Sequence, residues 1–176
     1  SIVSARSVAV AYDVTTIGGA DGPTSIFLAG KVGDSWLNVF GLIIVILILL
    51  PNIIYAFKVK GQQNRCLNKL MNLLELVGRY GCMFLMIFNI GIAEFGFRSI
   101  GMFLAYLFGN PILIVSYWII WALYYKKAAY WKQIALAVIP TMIFLLNGVT
   151  LMHFLLIVFG IIFGVGHIYV TRENRV

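Results

Sequence analysis

Apolar residues dominate this chain in five long runs separated by short polar or basic segments, and the runs predict its elements directly. The first, 36–57, passes without a charge through Phe40-Gly41-Leu42-Ile43-Ile44-Val45-Ile46-Leu47-Ile48-Leu49-Leu50 to Pro51. A bilayer core about 30 Å thick needs about 20 helical residues to cross. Only a helix or a closed barrel satisfies every backbone group in lipid, so each run reads as a transmembrane helix. The others are 71–92, 100–125, 134–146 and 151–170. Pro51 predicts a kink in the first, and Gly109-Asn110-Pro111 a place where the long third span tilts or breaks. The last two spans are expected to form a tight hairpin around Asn147-Gly148-Val149-Thr150. The predicted fold class is all-α, a polytopic helical bundle of five transmembrane helices over 36–176, preceded by a glycine-rich segment over 1–35.

Composition agrees with this pattern. At 62% hydrophobic and 11% charged residues, little of the 176-residue chain is left for a soluble domain. The net charge of +7 does not point to nucleic acid, because the basic residues fall in short segments between apolar runs rather than along one face. Membrane orientation accounts for them: Lys58, Lys60, Arg65 and Lys69 follow span one, Lys126, Lys127 and Lys132 follow span three, and Arg172 and Arg175 end the chain. Positively charged loops stay cytoplasmic, so a cytoplasmic C-terminus is expected, with a bacterial cell membrane as the location. Trp36, Trp118, Trp121, Tyr124, Tyr125, Tyr130 and Trp131 gather near span ends and read as interfacial anchors rather than a substrate box. Cys66 and Cys82 have neither the spacing of a metal site nor that of a disulfide framework. The start at Ser1 rather than Met leaves room for native residues upstream, and no cleavable signal peptide is read in the sequence given.

The densest candidate chemistry lies before the first span. In Thr15-Thr16-Ile17-Gly18-Gly19-Ala20-Asp21-Gly22-Pro23-Thr24-Ser25-Ile26-Phe27 three glycines and a proline forbid a continuous helix, so the backbone opens there. Asp21 brings one charged oxygen to that turn, and Thr16, Thr24 and Ser25 bring neutral ones. An unwound membrane segment with a carboxylate is how secondary transporters hold sodium or a proton, which makes Asp21 the first candidate cation ligand. The segment is expected to be re-entrant, a broken helix or an outer loop; turn chemistry alone favours a surface loop.

The run from Ile17 to Phe27 closely resembles the motif of the beta subunit of sodium-translocating carboxylic acid decarboxylases, the oxaloacetate, glutaconyl-CoA and methylmalonyl-CoA pumps. In that family the Asp of the Gly-Ala-Asp-Gly-Pro-Thr motif is implicated in sodium binding and in supplying the proton for decarboxylation of carboxybiotin. Carried over, that residue is Asp21, and the implied cofactor is a sodium ion. The resemblance covers residues 14–33, with a weaker continuation to Leu37. The family's second sodium-site region, with its Asn and Ser ligands, has no counterpart here, so a complete pump is not expected. The resemblance implies a sodium-coupled transport subunit, with the lipid membrane, other membrane subunits or further copies of the chain as partners. The competing expectation is a non-transporting accessory, regulatory or immunity-type membrane protein.

Other polar groups read mainly as structural. Glu75 and Arg79 stand four apart on one helical face, where ionisable groups in a membrane pair or face a cavity and can be functional; their place near a basic loop, from which they can snorkel to the interface, favours the structural reading. Glu94 and Arg98 repeat the spacing at the other end. His153 and His167, fourteen residues apart, lie about 21 Å from each other along a helix and cannot share a metal within it. Gly160 and Gly164 predict close helix packing. No hydrolase or nucleotide-binding motif is present, and a self-contained enzyme is not expected.

Overall fold

A computed structural model describes residues 36–59, 64–90 and 96–175. Their five helices are α1 (Val39–Lys58), α2 (Lys69–Ile87), α3 (Ile100–Lys126), α4 (Tyr130–Thr150) and α5 (Phe154–Glu173). Each is long and apolar enough to cross a membrane, which makes this an integral membrane protein. Alternating directions place Lys58, Arg65, Lys69, Lys126, Lys127, Lys132, Arg172 and Arg175 at one end of the bundle, here called the basic end. Large apolar side chains such as Phe40, Ile46, Phe108 and Ile112 face outward, as lipid contact requires.

The helices close into a ring. α5 packs between α2 and α4, α3 flanks α4, and α1 completes the circuit against α2 and α3. The closest crossing, α2 on α5, depends on glycine: a Cβ on Gly78 would lie 2.5 Å from the Phe163 backbone, and one on Gly166 2.5 Å from the Glu75 nitrogen. Gly160 and Gly164 pack against Leu145 and Thr141 of α4, so this small-residue pair serves packing within the chain. At the end opposite the basic one, Leu37 and Phe88 form a bridge, the Asn38 N–H donates to the Ile87 carbonyl, and Trp36 stacks on Phe88 at 5.5 Å. Asn38 also caps α1, its Oδ1 accepting from the Gly41 N–H at 2.9 Å.

Three boundaries differ from expectation. α2 ends at Ile87 rather than 92, because the chain turns there to pair with residues 36–38. α3 runs unbroken through Pro111. The Asn110 Nδ2 donates to the Tyr106 carbonyl, while its Oδ1 accepts from Asn147 Nδ2 at 2.7 Å. Asn147 and Gly148 are helical, and the hairpin turn falls at Leu151–His153, where Met152 takes φ 53. The predicted arrangement of residues 1–35 lies outside the described residues, as does Glu94, the partner expected for Arg98.

Candidate functional site: an ion-paired cavity at the basic end

Glu75 sits six residues into α2 from the basic end, and His167 six residues before α5 ends there, so the two lie at one depth, about 9 Å along each axis. The Gly166 crossing brings α5 against the Glu75 backbone, and His167 Nδ1 then meets Glu75 Oε1 at 2.9 Å. Arg79, one turn along α2, donates through Nη2 to the same oxygen. One carboxylate oxygen thus serves two nitrogen groups from two helices. The His167 ring is fixed by stacking on Phe163, with centroids 4.7 Å apart and planes within 18°.

These three side chains border a cavity of about 460 Å³ inside the helix ring, to which all five helices contribute. Asn52 and Tyr55 come from α1, Trp121 and Tyr124 from α3, Gln133, Leu136 and Ala137 from α4, and Thr171 and Asn174 from the end of α5. A smaller apolar pocket of about 80 Å³, lined by Val45, Met83, Tyr117 and Phe144 among others, shares Asn52, Arg79 and His167 with it. The charged groups therefore stand where a polar vestibule meets an apolar recess. Glu75 is largely covered at 14% side-chain exposure, whereas Arg79, at 44%, reaches into open space.

Amide side chains fix the rim. Asn174 Oδ1 accepts from the Arg65 N–H at 2.7 Å, its Nδ2 donates to Asn64 Oδ1 at 2.8 Å, and its carbonyl accepts from Gln133 Nε2 at 3.1 Å. Asn64 Nδ2 in turn donates to Asn72 Oδ1 at 2.8 Å. The loop before α2, the start of α4 and the end of α5 are thereby tied at the mouth.

Sequence spacing identified the Glu75 and Arg79 pair but read it as an interfacial one; the cavity and His167 give it a different setting. Trp121 and Tyr124 depart from the anchor reading, since both are buried and form a wall of the cavity with Tyr55. Trp36 and Trp131, 69% and 57% exposed, have the positions expected of anchors. His153 has a local role: its Nδ1 accepts from the Leu156 N–H at 3.0 Å and caps α5. Among the described residues, no three His, Cys, Asp or Glu side chains converge as a metal site. The candidate cation ligands Asp21, Thr16, Thr24 and Ser25 lie outside the described residues. Compared with protein-family models, curated proteins and solved structures, the chain matches none of them.

Proposed function

We propose that this protein is a membrane-embedded solute-binding subunit of transport type, whose ligand occupies the cavity around Glu75, Arg79 and His167. The observation carrying the reading is that cavity itself: a charged cluster held within the spans beside a space of about 460 Å³ lined by all five helices. Ionisable groups in membrane spans are costly, and they characteristically border binding sites and pathways. The volume falls within the few hundred to a thousand Å³ typical of small-ligand sites. With the lysine- and arginine-bearing loops on the cytoplasmic side, the mouth faces the cytoplasm.

The test is thermal unfolding of the purified protein in nanodiscs against small anions, cations and zwitterions, repeated with Thr171→Trp, which narrows the mouth. Stabilisation by one charge class, lost in Thr171→Trp, supports the reading. If no class stabilises the protein, the cavity only hydrates an ion pair and the chain belongs with non-transporting accessory proteins.

The motif over residues 14–33 supports a second site, a sodium ion held at Asp21 with Thr16, Thr24 and Ser25 as neighbouring ligands and sodium as the coupling ion. It predicts a higher unfolding temperature in sodium than in choline salts at fixed ionic strength, a difference abolished by Asp21→Asn. Equal melting in the two salts sinks the sodium site without touching the cavity.

A further inference from the structure

Resting on the cavity reading, we infer that the ligand is a small organic oxyanion of the carboxylate class, taken up together with one proton, Arg79 holding the anion and His167 accepting the proton. The carrying observation is the shared oxygen. Arg79 Nη2 and His167 Nδ1 both converge on Glu75 Oε1, so either group alone can keep that carboxylate partnered. A guanidinium presents five N–H donors in a planar fork matched to carboxylate. One nitrogen is engaged by Glu75, and Arg79 is the half-exposed member of the cluster, bordering both the vestibule and the recess.

Charge balance selects the ligand. Glu75 and Arg79 cancel each other, and a neutral imidazole adds nothing to that balance. Among the described residues Glu75 is the single carboxylate of the lining, so an added cation meets no further negative charge from them. An added anion is balanced when His167 takes a proton from the water of the basic side. Since Nδ1–H donates to Glu75 Oε1 in the neutral ring too, the added proton goes to Nε2, and the Arg79 fork turns to the ligand while His167 keeps Glu75 partnered. Histidine is the side chain suited to such an exchange near neutrality.

Among the described residues the groups facing His167 are few. α2 presents Glu75 and Arg79, α1 presents Tyr55, and α3 presents Tyr124 with Tyr117 in the recess. α4 contributes Gln133, Leu136 and Ala137, none of which ionises. On α5 itself, Tyr169 and Arg172 line a separate hollow at the bundle's edge. Tyrosine phenols stay neutral through the working range. The wall of Tyr55, Trp121 and Tyr124 suits the hydrocarbon part of an organic acid.

The test is calorimetric titration of the full chain in nanodiscs with benzoate, tetramethylammonium and glycine betaine, in two buffers of different protonation enthalpy. Benzoate is expected to bind with uptake of a proton, its affinity rising as pH is lowered from 8 towards 6.5. Arg79→Gln is expected to cost roughly tenfold or more in affinity, and Arg79→Lys, which retains the charge but loses the fork, an intermediate amount. His167→Gln is expected to bind more weakly with a flat pH profile. Benzoate binding without proton uptake, or indifference to both Arg79 substitutions, overturns the inference. Binding of betaine or tetramethylammonium in preference to benzoate, sensitive to Thr171→Trp, overturns it while the cavity reading stands. Binding of none of the three removes both.

Discussion

The indole N–H of Trp118 in α3 donates to the carbonyl oxygen of Leu47 in α1 at 2.9 Å, and Leu47 is the residue that Pro51 leaves without its helical partner. Proline has no N–H, so the carbonyl four positions earlier must bond elsewhere or stand bare in lipid. Trp118→Phe is expected to lower stability by about 0.5–1.5 kcal/mol, the range of interhelical hydrogen bonds in membranes. Pro51→Ala returns an N–H to Leu47, so Trp118→Phe should cost markedly less in that background. Unfolding of the four proteins in a denaturing-detergent titration measures the coupling; strictly additive losses would show that the indole contributes only packing.

The crossing of α2 and α5 gives a second prediction. Gly78→Ala and Gly166→Ala each drive a methyl into backbone at 2.5 Å, a conflict that side-chain motion cannot relieve. Each is expected to destabilise by about 1–3 kcal/mol despite alanine's better helix propensity. Gly101→Ala is the control, because its new methyl meets nothing nearer than Ser99 Oγ at 3.7 Å; it should be neutral or gain up to about 1 kcal/mol. Since both crossing glycines set one interhelical distance, their double variant should lose less than the sum. Thermal unfolding in nanodiscs decides this, and a stable Gly166→Ala would mean that α5 is held by other contacts.

What the chain reveals of this architecture divides along physical lines. The five spans are legible because lipid imposes a requirement, a long uncharged helix, that each segment meets alone. Span ends are less so. The C-terminus of α2 is set by Leu37 and Asn38, about fifty residues away, and the helicity of Asn147-Gly148 is supported by the Asn147 bonds to Ile143 and Asn110. The Glu75 and Arg79 pair is visible because it is local; His167, ninety-two positions from Glu75, is not. A signal for it exists nonetheless: a lone acid and a histidine at equal depth from the basic ends of two antiparallel spans, with Gly166 beside the histidine to permit approach.

His153 lies in the turn between α4 and α5, outside both spans, and burial pulls its pKa below the usual value of 6.5. Its Nδ1 must stay unprotonated to accept from the Leu156 N–H. The unfolded chain therefore binds the proton more readily than the folded one, so stability is complete above about pH 6.5 and declines as pH falls below it. His153→Asn retains a capping acceptor without the titration and should flatten this decline, whereas His153→Ala should cost about 1 kcal/mol at pH 8. Unfolding temperatures from pH 8 to 5 check both; an acid sensitivity unchanged in His153→Asn would assign it to another group.

Removing single charges from the cavity tests how Glu75 is held. With Arg79→Gln the largely covered carboxylate keeps only His167 as partner, whereas with Glu75→Gln the exposed half of Arg79 remains in contact with cavity water. Breaking a buried pair from one side can cost several kcal/mol, but the exposure of Arg79 places this pair between buried and surface cases. Arg79→Gln is therefore expected to cost about 1–2 kcal/mol and Glu75→Gln less than that. The double variant Glu75→Gln/Arg79→Gln should lie closer to wild type than Arg79→Gln does, because two amides in a polar cavity leave no charge uncompensated. Unfolding in nanodiscs at pH 8 orders the four proteins. A double variant less stable than either single one would mean that the ion pair is a net support of the helix ring, not a charge arrangement held in place for the cavity.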